Sequence, residues 1–211
     1  PYNVFAFIPD PLPPKLDMAQ LAIPLSQAMQ AVGELRGASR RLNNPYILVR
    51  PLQRREALTS SAMEGTFTTD DELLLADAGI DEASDQASIE VRNYLRALTE
   101  TLRMLEVDGL PICHKMIKTA HDILLSGVGN HRGANRNRGE YKSDQNAIGG
   151  ARRGIENARF IPPPPRETQI CMDELERYIN RPTKDDIPAL IDIALVHYQL
   201  ETIHPFSDGN G

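Results

Sequence analysis

The last eight residues of the chain carry three kinds of group that can act on a phosphate. The segment starts at His204, has a carboxylate at Asp208 and ends in the turn Gly209-Asn210-Gly211. An imidazole with an ordinary pKa of ~6.5 can serve as a general base near neutral pH. A carboxylate is a hard oxygen ligand that suits Mg²⁺. Because a Gly-Asn-Gly turn can direct its backbone N–H groups at an anion, the segment indicates nucleotide chemistry on a hydroxyl acceptor.

An apolar helix is predicted to lead directly into this segment. Residues 187–203 form the most apolar helical pattern of the chain, and they place His204 in the loop that follows. Phe206 is expected to anchor that loop in the core. A histidine in a loop beside an acid and two glycines favours a functional interpretation over a buried structural one. A plain turn is the alternative for residues 209–211.

The remaining histidines give no second site. His114 lies seven residues before His121, and His197 lies seven before His204. Seven residues are about two helical turns, which is too far along the axis for one simple metal site. We therefore assign His114, His121 and His197 to structure. A metallohydrolase built on His204 and Asp208 stays a weaker alternative, since no further ligands match.

Composition indicates a globular domain. The 211 residues are 41% hydrophobic and 25% charged, and the net charge is −6. That charge argues against nucleic-acid binding by the whole surface, and no apolar run approaches the ~20 residues of a membrane span. Two cysteines without a C-x-x-C pattern indicate reduced thiols, so a cytoplasmic location is expected.

Residues 131–159 form a locally basic stretch. Seven basic side chains there stand against three acidic ones. This excess fits either a solvated hairpin or a positive rim over a phosphate site, and the sequence leaves both interpretations open. The seven are Arg132, Arg136, Arg138, Lys142, Arg152, Arg153 and Arg159.

The pattern of apolar residues predicts a mainly α fold, a helical bundle with one small β-hairpin flap at 139–161. An extended proline-rich arm precedes a helix at 15–42 that is interrupted near Pro24 and Gly33. Further helices are predicted at 46–63 with a kink near Pro51, and at 90–107, 112–125, 167–181 and 187–203. We divide the chain into an N-terminal helical region, 1–105, and a core, 106–211.

Three ordered segments resemble the Fic family. His204 to Gly211 is similar to the family signature H-P-F-x-[DE]-G-N-G-R, which continues to a second arginine. Residues 60–65 (SSAMEG) fit the family's inhibitory pattern [ST]-x-x-x-E-[GN], and 139–165 resembles its flap and the following proline run. The resemblance extends from about Leu48 to the end. Both signature arginines would lie beyond Gly211, so the chain is expected to be a fragment of a longer polypeptide.

The resemblance implies a Fic-type bundle and a protein adenylyltransferase. His204 would deprotonate a Ser, Thr or Tyr hydroxyl of a target protein, or of the chain itself, for attack on the α-phosphate of ATP. Asp208 would bind Mg²⁺. The remaining nucleotide-binding residues would be Glu64, Gly209, Asn210 and Gly211.

The resemblance also implies an inhibitory helix and a flap that binds the target. The helix, about 46–65, would carry Ser60, Glu64 and Gly65, with Glu64 pairing with the second signature arginine and obstructing the γ-phosphate. The flap residues that align the target would be Gln145, Asn146, Ile148 and Gly149. The family often has arginine where Lys142 stands and an aromatic residue where Ala147 stands.

Two other functions remain open at this point. The same site could remove AMP from a protein, with Glu64 orienting water, or the chain could be a non-catalytic Fic-like regulatory or binding module. ATP and a target protein are the expected partners, with no membrane and no nucleic acid bound by this fragment. The sequence leaves open whether the protein forms a homodimer.

Overall fold

The computed structural model describes residues 4–63, 65–77, 86–129, 137–150, 154–184 and 186–210. Within them the fold is mainly helical, as predicted. The α-helices are α1 (Met18–Ser39), α2 (Val49–Met63), α3 (Asp70–Asp77), α4 (Gln86–Glu106), α5 (His114–Leu124), α6 (Pro165–Ile179) and α7 (Ala189–Ile203).

Two predicted interruptions of the N-terminal helices are wrong. Helix α1 runs unbroken through Pro24 and Gly33, and the Asp17 carboxylate caps it by accepting the Ala19 N–H at 3.0 Å. Pro51 does not interrupt α2, because it lies in the first turn, where proline is tolerated. A short 3-10 turn at Pro45–Leu48 precedes α2.

The N-terminal helices share a small core. Ala57 of α2, Leu73 of α3 and Val91 of α4 are fully buried against one another. Helix α3 starts with a capping box: the Glu72 carboxylate accepts the Thr69 N–H at 2.7 Å, and the Thr69 hydroxyl accepts the Glu72 N–H at 3.2 Å. These contacts fix the end of α2 relative to α4.

A second core supports the C-terminal segment. It consists of Cys171, Met172 and Leu175 of α6 and Ile203 at the end of α7. Ile203 is completely buried, so the residue directly before His204 is held in the core. Cys171 is buried and Cys113 is half-buried, and both thiols are free.

The flap is less regular than predicted. Within the described residues it has one antiparallel bridge, Ile148 to Phe160, instead of a ladder of strands. The Ile148 N–H donates to the Phe160 carbonyl at 2.8 Å. Gly150 follows with a φ of 116°, and a Cβ there would lie 2.3 Å from the carbonyl oxygen of Asn157. The tip can therefore close only around glycine.

The N-terminal arm lies against the C-terminal half. The Phe7 N–H donates to the Ile161 carbonyl at 2.8 Å, and the Phe7 and Phe160 rings are 5.8 Å apart. The Gln199 side chain donates to the Asp10 carbonyl at 3.0 Å. Among the helices described, none is long and apolar enough to cross a membrane.

Candidate active site

His204 stands at the C-terminal end of α7 in a strained backbone conformation. Its φ of 48° and ψ of 63° are left-handed, and its N–H donates to the Leu200 carbonyl at 3.0 Å. A non-glycine residue adopts this region at a cost of about 1–3 kcal/mol, and such residues cluster at functional sites. The conformation turns the chain out of the helix and directs residues 205–210 back towards α5.

The surroundings of the His204 imidazole favour its neutral form. Its Nδ1 is buried and has no hydrogen-bond partner among the residues that the structure describes. Burial lowers the pKa of His204, and the nearby Lys142 cation lowers it further, while the Glu201 carbonyl and Asp208 act in the opposite direction. A neutral imidazole near pH 7 has the free lone pair that a general base needs.

The loop after His204 is closed by the side chain of Asn210. Its Oδ1 accepts the Phe206 N–H at 2.6 Å, and its Nδ2 donates to the Phe206 carbonyl at 2.9 Å. Gly209 has a φ of 66°, which favours glycine at this turn. The asparagine predicted to contribute to a phosphate turn therefore also fixes the shape of the loop with its side chain.

His121 of α5 supports this loop from below. Its ring stacks on Phe206, with centroids 3.8 Å apart and planes 5° apart. Nδ1 accepts the Gly139 N–H at 2.9 Å, so Nε2 carries the proton and donates to the Asp208 carbonyl at 2.9 Å. Burial lowers the pKa of His121 and favours this neutral form. His121 thus contributes to the site, a role that its sequence position did not reveal.

The other two histidines lie apart from the site. His114 contacts the Tyr141 hydroxyl at 2.7 Å and the carboxylates of Asp173 and Glu176, which fits the structural role predicted for it. His197 is exposed on α7, so assigning it a structural role is wrong.

Asp208 offers one carboxylate for a metal ion. Its Oδ1 accepts the Gly209 N–H at 3.0 Å, which leaves Oδ2 without a recorded donor in the part of the chain that the structure describes. No cluster of three or more His, Cys, Asp or Glu side chains that could hold a metal occurs among those residues. Mg²⁺ commonly binds proteins through one or two carboxylates and takes its other ligands from water and substrate phosphates. The donor set fits an ion that arrives with a nucleotide.

The end of α2 faces the same cavity as the signature loop. The cavity is lined by Ser60, Ser61, Thr66, Glu90, Tyr94, Leu124, Leu125, Val128, Asp208 and Gly209. Two of the residues predicted for this site, Glu64 and Gly211, lie outside the described residues. Gly65 has a φ of 83° and ends the helix with a hydrogen bond from its N–H to the Ala62 carbonyl at 3.0 Å.

Hydrogen bonds anchor both sides of this helix end. The Ser60 hydroxyl donates to the Glu56 carboxylate at 3.0 Å, one turn back on α2. The Thr66 hydroxyl donates to the Glu90 carboxylate of α4 at 2.5 Å. Ser60 and Thr66, which line the same cavity as Asp208, are thereby anchored to Glu56 and Glu90.

The flap is tied to the signature loop by its amides. Asn146 Nδ2 donates to the carbonyls of His204 at 3.3 Å and Phe206 at 3.0 Å. Gln145 donates to the Pro162 carbonyl at 2.9 Å, within the flap itself. Both side chains therefore make internal contacts. The other two predicted target-binding residues differ: Ile148 forms the bridge, and Gly149 is exposed.

Lys142 is a buried cation that sequence reasoning placed wrongly. By sequence, Lys142 belongs with the basic residues of a solvated hairpin or a positive rim, but its side chain is only 3% exposed. Its Nζ donates to Asn146 Oδ1 at 2.8 Å, and to the carbonyls of Ile203 at 3.2 Å and His204 at 3.0 Å. Nothing in the sequence around this lysine, which lies in a weakly alternating segment, predicts that it contacts the end of α7.

Comparison with known proteins agrees with this geometry. A model described as "Fic/DOC family N-terminal" matches residues 23–103, and one described as "Fic/DOC family" matches residues 111–211. The proteins named "Protein adenylyltransferase Fic" of Drosophila melanogaster and Drosophila virilis are each 30% identical to the chain over 132 residues. These matches cover 61% of this chain and 24% of each relative, so the chain spans about a quarter of their length.

Two solved structures share the fold. A Fic family protein from Desulfovibrio desulfuricans G20 superposes with a TM-score of 0.62 at 22% identity, over 88% of this chain and 53% of the other. A Fic domain containing signaling protein from Bacteroides thetaiotaomicron gives a TM-score of 0.67 at 22% identity, over 85% of this chain and 67% of the other. With both family models matched in order and a helical architecture in common, the chain belongs to the Fic/DOC family.

Proposed function

We propose that the chain is part of a protein adenylyltransferase, which transfers AMP from ATP to a Ser, Thr or Tyr hydroxyl of a target protein or of the chain itself. The observation that carries the proposal is the geometry of His204. It is a half-buried imidazole with a lowered pKa at a strained helix end, followed four residues later by Asp208. The similarity to relatives named protein adenylyltransferases supports the same reaction.

The protein's own residues would act on the hydroxyl and on the nucleotide. His204 takes the proton of the target hydroxyl as its oxygen attacks the α-phosphate, and pyrophosphate leaves. The backbone N–H groups of the turn at 209–211 would hold phosphate oxygens, with the Gly209 N–H exchanging Asp208 Oδ1 for the phosphate. Asp208 would hold Mg²⁺, which when bound supplies charge neutralisation on the phosphates.

Inhibition by Glu64 is part of the proposal. Ser60 and Ser61 line the same cavity as Asp208 and Gly209, which supports a position of the end of α2 next to the proposed nucleotide site. Glu64 would pair with a signature arginine located after Gly211 and obstruct the γ-phosphate. We also propose that the chain divides between residues 105 and 106 into an N-terminal helical region and a Fic core.

The flap would present the target through one open edge. Residue Ile148 pairs with Phe160, and the arm residue Phe7 pairs with Ile161 on the far side. In an antiparallel strand alternate residues face opposite edges, so the backbones of Ala147 and Gly149 face the free edge. An extended segment of the target would add there by strand addition.

The test is transfer of AMP by the full-length protein. We expect incubation with ATP labelled at the α-phosphate to label protein, and His204→Ala to lose about 10²–10⁴-fold in rate while still binding ATP. His197→Ala, an exposed histidine of α7, is the matched control. Undiminished transfer by His204→Ala would exclude the proposed base.

The same assay separates the other two functions. A protein that removes AMP would release it from a previously modified target and would depend on Glu64. A non-catalytic module would bind ATP or target without either reaction. Protein that becomes labelled and then loses the label once ATP is exhausted would show that removal occurs in addition to transfer.

A further inference from the structure

We propose that Lys142 is a positioning residue for His204, which it holds in its left-handed conformation by binding the last carbonyls of α7. The proposal rests on the proposed function for its catalytic consequence, but its structural content is independent of any activity. Lys142 is not proposed to contact the reacting atoms, because it acts on the backbone of His204, the proposed base.

The contacts of Lys142 converge on the point where α7 ends. Its ammonium donates to the carbonyls of Ile203 and His204, and its backbone N–H donates to the Pro205 carbonyl at 2.8 Å. Three consecutive carbonyls therefore have a donor from one flap residue. The carbonyls of Ile203 and His204 are among those that a helix leaves unpaired at its C-terminus, and Pro205 follows directly after the helix.

The charge of Lys142 suits this position. The C-terminal end of a helix carries partial negative charge, which a cation stabilises. The ammonium has three donors and its three acceptors are all present, with Asn146 Oδ1 as the third. A buried cation with every donor used is fixed in direction, so it can hold the strained backbone of His204 against relaxation.

Asn146 extends the same contact to the rest of the loop. Its amide accepts from Lys142 and donates to the carbonyls of His204 and Phe206. The flap thus binds the loop on both sides of Pro205. Movement of the flap would be transmitted to the imidazole through these two side chains.

The ionisable groups around Lys142 are few. Cys171 faces it from α6, and His204 faces it from the end of α7. Burial lowers the pKa of Lys142 to about 8. His204 in turn faces Lys142 and Asp208. The loss of the Lys142 proton above neutral pH should therefore be visible at His204.

The experiment follows the His204 imidazole by NMR in the full-length protein, with its signal assigned by comparison with His204→Gln. In the wild type we expect a midpoint below 6.5 and a second inflection near the pH where Lys142 titrates. In Lys142→Met the midpoint should rise and the second inflection should vanish. Lys115→Met, which changes an exposed lysine of α5, should match the wild type.

Kinetics of the same variants test the catalytic consequence. Lys142→Met should lose about 10–100-fold in kcat with KM for ATP nearly unchanged, because a displaced base slows the chemical step. Lys142→Arg, which keeps the positive charge, should recover most of that loss.

The outcomes are distinguishable. A wild-type His204 that titrates in one step, with a midpoint that Lys142→Met leaves unchanged, would overturn the positioning role even if transfer is observed. If Lys142→Met does not fold, the wild-type titration alone decides. If no variant and no wild type transfers AMP, the proposed function fails, while the NMR titrations still test the contact.

Discussion

At the scale of single residues, Asp208 has a role that one substitution can test, which is the proposed binding of Mg²⁺. One of its oxygens accepts the Gly209 N–H, and its carbonyl accepts from His121. The carboxylate is thus oriented by the loop that carries it. Its environment shows how a hard oxygen ligand can be presented without a cluster of acids.

We expect Asp208→Ala to abolish the Mg²⁺ dependence of AMP transfer, because the variant removes the carboxylate that would hold the ion. Asp208→Asn, which keeps the size and one oxygen, should retain a weak dependence. Titration of Mg²⁺ against the initial rate measures both. A dependence unchanged in Asp208→Ala would mean that the ion binds elsewhere.

His121 gives a prediction about stability. His121→Phe keeps an aromatic ring against Phe206 but removes the acceptor for the Gly139 N–H and the donor to Asp208. An unpaired buried N–H costs about 1–3 kcal/mol, so the free energy of unfolding should fall by that order. Chemical denaturation at pH 7.5 measures it, and His197→Phe on the exposed side of α7 should change little.

The pKa of Lys142 gives a pH dependence with a definite sign. The folded value of about 8 lies below the ordinary 10.5, so the unfolded chain binds more protons between these two values. Burial disfavours the ammonium by more than its hydrogen-bond acceptors favour it, so the pH-dependent contribution of Lys142 to stability is full above pH 10.5 and is lost as the pH falls through 8. We expect the stability of the wild type minus that of Lys142→Met to rise from pH 8 to 10. A flat difference would contradict a depressed pKa.

At the scale of elements, the end of α2 and the start of α4 act together. The Thr66 hydroxyl, in the turn after α2, donates to Glu90 of α4, whereas the Ser60 hydroxyl donates to Glu56 within α2. Gly65 lies between these two residues and has a φ of 83°. Among the described residues, the hydrogen bond that joins this turn to another helix is therefore made by Thr66, after the helix ends.

We expect Glu64→Gly to raise AMP transfer by the full-length protein, because it removes the side chain proposed to obstruct the γ-phosphate. Ser60→Ala should give a smaller gain, since its bond is within α2. Glu106→Gly changes another glutamate at a helix end and serves as the control. Mass spectrometry of the modified protein measures the gain, and loss of activity in Glu64→Gly would favour removal of AMP.

The helices that carry the site could be predicted from apolar periodicity, because one face of each is buried. The predicted helix at 187–203 and the observed α7 both end at Ile203, directly before His204. They differ by two residues at the start. The contact of Lys142 with the His204 carbonyl could not be predicted, since it joins residues 62 positions apart. A ladder of strands is predicted for the flap, but its described residues form one bridge, where glycines weaken the alternation on which strand prediction depends.

At the scale of the whole molecule, the signature loop lies between buried clusters of both halves of the chain. Ile203 of the α6–α7 core directly precedes His204. On the other side, Gly209 lies beside Leu125, whose cluster packs against Ile89 of α4. The loop that carries His204 and Asp208 therefore depends on both halves being packed.

The N-terminal arm has a consequence for synthesis of the chain on the ribosome. The Asp10 carbonyl pairs with Gln199, which lies 189 positions later, and Phe7 pairs with Ile161. Residues 7 and 10 must therefore wait until almost all of the described chain has been made before their partners exist. Loops of this length close late. In pulsed hydrogen exchange of nascent chains, the amide of Phe7 should gain protection only after residue 161 has emerged.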